Sequence, residues 1–301
     1  MRVGVTGGTG FVGQYILRDF AKDFEFVVPF RKRTGQITKK NVKFIESDYT
    51  VESLSDIFSE CDAVVHLAGI GMPKNQNSLS LTDYISNVVI TANVFEACKN
   101  DGIRRIIYTS SKAVWGRGGK NELSESYPAR PENEYGVSKL CCETLASFYN
   151  DVYKMQIKCY RIGEICGIDL RKGMLNPFWK VLLSCSVEKR PIPIYGRGIA
   201  KRDLIYVKDV VDALMLGIQK EGGGVFNIGY GKIYSNREIA KMFCHVFENF
   251  AGLKMQPEEK EWGTEQNMLI DKASKILGFK AKYDLEKIVR DIRCEYESML
   301  K

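Results

Sequence analysis

Apolar and polar positions change period repeatedly along the first half of the chain. Residues 3–6 predict a short strand, followed by glycines and a helical period over 10–20. Two further strands are predicted at 26–30 and 42–46, and the wholly apolar run at 63–67 predicts one buried on both faces. A helix over 82–99, a strand over 105–109, a Gly-, Glu- and Pro-containing loop over 116–133, a long helix over 134–153 and a strand over 157–161 follow. Such alternation implies parallel strands with helices on both faces. Beyond 165 the period loosens around Pro177, Pro191 and Pro193. Helical patterns return at 207–219, 236–248 and 285–300, and 225–229 again reads as a core strand. The expectation is an α/β protein: a doubly wound parallel sheet over 1–165 that also receives part of 205–235, with a smaller, interleaved C-terminal lobe over 166–301.

Composition narrows this picture rather than changing it. A chain of 301 residues that is 45% hydrophobic can bury the core of one large domain or two intimate ones. The net charge of +7 suits an anionic small ligand. The basic run Arg31-Lys32-Arg33 is too short for a nucleic-acid-binding arm, so no nucleic-acid partner is expected. Nine cysteines without a Cys-x-x-Cys pair argue against a disulfide scaffold, and two histidines outside any ligand spacing argue against zinc. Neither a signal-peptide pattern nor a membrane-length apolar stretch is visible, which makes the cytoplasm the expected compartment and a membrane an unexpected partner.

The chemistry starts at Gly7-Gly8-Thr9-Gly10-Phe11-Val12-Gly13, between the first strand and the first helix. Glycines there let backbone N–H groups approach a pyrophosphate, and the helix N-terminus favours its charge. Gly7, Gly10, Phe11, Val12 and Gly13 are therefore expected at a dinucleotide, and the sheet is expected to be Rossmann-type. An NAD site usually ends its second strand in a carboxylate. Here that place holds Phe30, followed by Arg31, Lys32 and Arg33. Arg31 and Arg33 thus favour NADP(H), with NAD(H) possible, and Asp48 and Tyr49 could border the adenine. Tyr135 and Lys139 lie four apart at a helix start, on one face. A lysine charge there favours tyrosinate, so Tyr135 can exchange a proton near neutral pH. Upstream, the strand ending Tyr108-Thr109-Ser110-Ser111 offers a hydroxyl to the same substrate oxygen, Ser111 first and Ser110 as the fallback.

Together these motifs resemble the extended short-chain dehydrogenase/reductase family, of the nucleotide-sugar-modifying epimerase/dehydratase type. The resemblance also takes in Asp62 to Gly69, Asn87 to Ala97, Arg202 to Val210 and Val225 to Gly229. It implies that Ser111, Tyr135 and Lys139 are catalytic, that Leu67, Ala68 and Gly69 line the cofactor, and that Arg202 meets the diphosphate of a nucleotide sugar. Glu164 and Asn176 are implied as further substrate contacts. His66 reads as a strand-end core residue. Family dehydratases carry an Asp-Glu pair where this chain has Lys112 and Ala113, which argues against water elimination. Glu164 stands where the family often has Asn.

The function expected first is an NADPH-dependent reductase acting at C4 of a nucleotide-linked 4-keto sugar. The alternative is a nucleotide-sugar 4-epimerase with tightly held NAD. A non-enzymatic NADP-sensing protein would tolerate loss of Tyr135 or Lys139, and both are present. A homodimer is expected through the helices over 82–99 and 134–153, using Val88, Val94 and Phe95 on one and Leu140, Leu145 and Phe148 on the other.

Overall fold

The computed structural model describes residues 1–31, 39–72, 80–116, 122–170, 173, 177–261, 263 and 266–300. The first half runs β1 (Arg2–Thr6), α1 (Phe11–Phe20), β2 (Glu25–Phe30), β3 (Val42–Glu46), α2 (Val51–Phe58), β4 (Ala63–His66), α3 (Leu81–Asn100), β5 (Arg105–Ser111), β6 (Glu122–Leu123), α4 (Glu134–Tyr153) and β7 (Gln156–Ile162). The second half runs β8 (Glu164–Cys166), α5 (Pro177–Val187), β9 (Ile192–Tyr195), β10 (Lys201–Tyr206), α6 (Val207–Gly217), β11 (Gly224–Ile228), β12 (Ile233–Ser235), α7 (Asn236–Val246), β13 (Leu253–Gln256), β14 (Asn267–Met268) and α8 (Leu285–Met299).

Seven strands form one parallel sheet in the order β11-β7-β5-β4-β1-β2-β3. Its inner strands are buried on both faces, β4 at every position, which is why 63–67 shows no alternation. Helices α2, α3 and α4 cover one face, where Phe58, Val94, Phe95 and Cys142 fill the core. Helices α1 and α6 cover the other, around Tyr15, Val207 and Leu214. This is the doubly wound Rossmann-type α/β fold. Strand order reverses between β1 and β4, and in such sheets ligands settle at that crevice, beyond the carboxyl ends of the strands.

The later segments build smaller sheets, β12-β10-β8 and β13-β9, while β6 pairs with β14. Strand β11 returns to the main sheet beside β7, as the apolar run at 225–229 suggested. Helix α4 begins and ends where its periodicity predicts, with Asn133 accepting from Gly136 N–H at 2.8 Å as its N-cap. Helix α3 opens on a capping box between Ser80 and Asp83. Helices α2 and α5 lie in stretches where the sequence pattern assigned no helix. Among the described residues, no helix is long and apolar enough to cross a membrane and no His/Cys/Asp/Glu cluster could hold a metal ion.

Candidate active site

The glycine loop leaves β1 at the reversal point. Gly7 has φ +69°, and a Cβ there would meet the backbone of Leu67 and Ala68 at 2.7–2.8 Å. A Cβ on Gly13 would strike Gly8 and Gly7 backbone atoms at 2.5–2.6 Å, so helix α1 can pack on its own loop only as glycine. On Gly10, by contrast, a Cβ would meet only the Gly7 carbonyl, at 3.0 Å. Gly10 is also the N-cap of α1 and supplies no side-chain cap. The first N–H groups of α1 therefore face a cradle that suits the charge and size of a dinucleotide's pyrophosphate. Phe11 packs edge-on to Tyr15 and Val12 joins the core.

Across the crevice, the segment after β4 is held by a relay of hydroxyls through His66. Ala68 N–H donates to Thr6 Oγ1 at 3.1 Å, Thr6 Oγ1 lies 2.6 Å from His66 Nδ1, and His66 Nε2 lies 3.0 Å from Thr91 Oγ1. Thr91 spends its proton on the Asn87 carbonyl at 2.7 Å, so Nε2 must donate to Thr91 and Nδ1 must accept from Thr6. Burial, with Lys139 nearby, pushes the His66 pKa down to about 3 and keeps the ring neutral. The Asn87 side chain then accepts from Ile70 N–H at 2.6 Å and donates to its carbonyl at 3.0 Å. Leu67, Ala68 and Gly69 are thereby fixed opposite Gly7. Thr6, Asn87 and Thr91 were not singled out from sequence; their roles depend on pairings across up to 62 residues of chain.

At the end of β2, the Arg31 guanidinium lies over the Tyr49 ring, 5.1 Å from its centroid, and Tyr49 donates to the Pro29 carbonyl at 2.9 Å. Tyr49 is buried, with φ +67°, so it supports this corner from beneath. Asp48 accepts from Thr50 N–H and hydroxyl at 3.0 and 2.8 Å, bonds that hold its carboxyl below the usual range. Lys32 and Arg33 lie outside the described residues, and so does Asn176.

Ser110 and Ser111 close β5 with different partners. Ser110, the fallback, donates to Glu143 at 2.5 Å. Ser111 caps the turn at Ala113 N–H, 3.2 Å away, and its hydroxyl lies close enough to Tyr135 to pull that phenol's pKa down. Tyr135 packs edge-on to Tyr84, and the Lys139 ammonium lies 5.6 Å from the Tyr135 ring centroid while donating to the Thr109 carbonyl at 2.7 Å. Burial raises the Tyr135 pKa and the Ser111 hydroxyl opposes that rise, so the free protein holds a neutral phenol rather than the tyrosinate expected from Lys139 alone. Burial also lowers Lys139 to about 8.

Glu164 and Arg202, expected to contact substrate separately, contact each other. Arg202 Nη1 donates to the two Glu164 oxygens at 2.8 and 3.0 Å, Nε donates to Asn236 Oδ1 at 2.8 Å, and the guanidinium stacks on Phe178 at 4.1 Å. Asp203, next along β10, is buried with Oδ2 accepting from Met268 N–H at 3.3 Å. Burial lifts its pKa to about 6 against the pull of Lys112.

The expected dimer face is also revised. Val94 and Phe95 are fully buried against the sheet, Val88 and Leu145 pack on the same core, and Leu140 packs near Trp115. The apolar side chains that α3 and α4 leave exposed are Leu81, Ile85 and Val89, at four-residue spacing, with Phe148, Val152 and Tyr153.

The model of the NAD dependent epimerase/dehydratase family matches residues 3–229. Over 96% of both chains, the sequence is 26% identical to a putative UDP-glucose 4-epimerase of Methanocaldococcus jannaschii. The structure is similar to UDP-N-acetylglucosamine 4-epimerase from Methanobrevibacter ruminantium in complex with UDP-N-acetylmuramic acid, with a TM-score of 0.87, 25% identity and coverage of 99% of this chain and 98% of that one. It is also similar to MoeE5 in complex with UDP-glucose and NAD, with a TM-score of 0.83, 25% identity and both chains covered in full.

Proposed function

Because the chain belongs to the NAD dependent epimerase/dehydratase family and is an enzyme acting on nucleotide sugars with a nicotinamide dinucleotide, we propose that it is a UDP-sugar 4-epimerase using NAD. The observation that carries this reading is the cluster at the carboxyl end of β5: the Lys139 ammonium lies 5.6 Å from the Tyr135 ring centroid and donates to the Thr109 carbonyl, two residues before Ser111 closes the strand. The reductase expected first has no support among the relatives compared, two of which are 4-epimerases. A preference for NADP likewise has none: MoeE5 was solved with NAD, and Arg31 already has a partner in the Tyr49 ring.

In this reading the glycine loop and the start of α1 hold the pyrophosphate, while Leu67, Ala68 and Gly69 flank the cofactor. When bound, the dinucleotide supplies an acceptor that takes a hydride from C4 and returns it. Tyr135 first releases its own proton to solvent; as tyrosinate it takes the C4 hydroxyl proton and later gives it back, and Ser111 shares the hydrogen bond to that oxygen. The Lys139 cation favours the moment at which Tyr135 is ionised. Inversion follows when the 4-keto sugar offers its other face before the return. Arg202 holds the diphosphate once Glu164, whose two oxygens accept from it in the free protein, gives way and turns to a sugar hydroxyl. Residues 166–301, without the part of 205–235 that joins the main sheet as α6 and β11, act as the substrate lobe. The outer stripe of α3 and α4 joins two copies into a homodimer.

The test is incubation with UDP-glucose, UDP-N-acetylglucosamine and UDP-glucuronic acid, each followed by NMR for the C4 epimer. One of them should equilibrate with its epimer without net reduction of NAD. Net NADPH consumption on a 4-keto sugar, with no epimer formed, would restore the reductase. Tyr135→Phe should bind cofactor yet lose nearly all turnover, since a general acid/base contributes roughly 10²–10⁴-fold. Retention of more than about a tenth of the activity would remove Tyr135 from its role.

A further inference from the structure

Helix α4 repeats its spacing one turn beyond the tyrosine–lysine pair. Tyr135, Lys139 and Glu143 are four residues apart and share one face. Glu143 is buried, and each of its oxygens is engaged. Oε1 accepts from the Ser110 hydroxyl at 2.5 Å and from Arg161 Nε at 3.0 Å; Oε2 accepts from Arg161 Nη2 at 2.7 Å. Arg161 also donates from Nη1 to the Glu125 carbonyl at 3.1 Å and lies 4.9 Å from the Trp115 ring. One carboxylate therefore ties α4 to the last residues of β5 and to β7.

A buried ion pair is a poor stability device, because desolvation offsets most of its attraction. This one does something else, which is to fix a spacing. Ser111 is the residue that follows Ser110 at the end of β5. Tethering Ser110 to α4 sets how closely Ser111 approaches the phenol carried two turns earlier on the same helix. We propose that Glu143, held by Arg161 and bonded to Ser110, is a positioning residue that sets the Ser111–Tyr135 distance for the reaction, an inference that rests on Tyr135 being the acid/base.

Glu143 also acts on Lys139. The groups facing that ammonium are His66 on β4, Tyr108 on β5, Cys159 on β7, and Tyr135, Cys142 and Glu143 on α4. The Glu143 charge raises the Lys139 pKa, opposing its burial, so removing that charge should make Lys139 lose its proton at lower pH.

Removing one partner of a buried pair can unfold a protein, so the deciding variant is Ser110→Ala, which deletes the 2.5 Å bond and leaves Glu143 with Arg161. In the NAD-loaded enzyme, kcat should fall roughly ten- to a hundredfold, the scale on which small misplacements act. KM and the melting temperature should stay near wild type, and Ser110→Thr, which keeps the hydroxyl, should restore kcat to within about threefold. Glu143→Gln should shift the alkaline limb of the kcat profile to lower pH. Wild-type kcat in Ser110→Ala, an equal loss in Ser110→Thr, or an unmoved limb in folded Glu143→Gln would overturn the proposal. Tyr135→Phe is assayed alongside. If it stays active, the acid/base reading fails; if it is dead while Ser110→Ala is fully active, only the positioning role fails.

Discussion

Glu164 clasps Arg202 across 38 residues of chain, accepting from one guanidinium nitrogen with both carboxylate oxygens. The two side chains are 20% and 13% exposed, so the pair is only partly screened by water. A diphosphate arriving at Arg202 would meet a cation already neutralised and a carboxylate that repels it. Glu164→Gln should therefore tighten UDP binding by about tenfold, the equivalent of ~1.4 kcal/mol. Calorimetric titration of UDP into both proteins measures this. Weaker binding in the variant would mean that Glu164 orients Arg202 instead of competing with the ligand.

His66 should make folding stability depend on acidity. Its folded pKa, about 3, lies below the ordinary value of 6.5. Between those values the unfolded chain binds a proton that the folded chain refuses. The contribution is thus complete above about pH 6.5 and is lost as pH falls through about 3, on the order of a few kcal/mol. Chemical denaturation of wild type and His66→Gln at pH 7 and pH 4 should show the wild-type advantage shrinking in acid. An advantage independent of pH would contradict the buried neutral ring.

The stripe of Ile85, Val89, Phe148 and Val152 should be covered by a second copy in solution. All four are about half exposed on two adjacent helices. Val89→Asp combined with Phe148→Asp should convert a dimer into a monomer with an unchanged circular dichroism spectrum, as read by light scattering. A wild type that is monomeric at micromolar concentration would refute the dimer.

Arg31 stacks on Tyr49 at the end of β2 and should matter little to NAD affinity. Arg31→Ala is expected to change NAD binding by less than about threefold, below ~1 kcal/mol, with NADP binding no tighter than NAD in either protein. A wild-type preference for NADP of about tenfold, abolished in the variant, would reverse the cofactor assignment and revive the reductase.

Local chemistry was legible before the fold. The glycine loop and helix α4 with its tyrosine–lysine pair rest on contacts within a few residues, where spacing alone specifies geometry, and the unbroken apolar run of β4 announced a strand covered on both faces. Periodicity also revealed that α3 and α4 are rich in apolar residues, but not which faces the sheet takes; Val94 and Phe95 went inside, and Ile85 and Val89 stayed out. The motif could not say that Ser110 would bond to Glu143, 33 residues on. The short strands of the second half, paired mostly with distant partners, left little periodic trace. The links that align the site, Thr6–His66–Thr91, Ser110–Glu143–Arg161 and Glu164–Arg202, join residues 18 to 60 positions apart. Sequence determined which residue types could do the chemistry. Only the tertiary structure decided which of them meet, because a hydrogen bond or ion pair depends on a distance that the packing of separate elements sets.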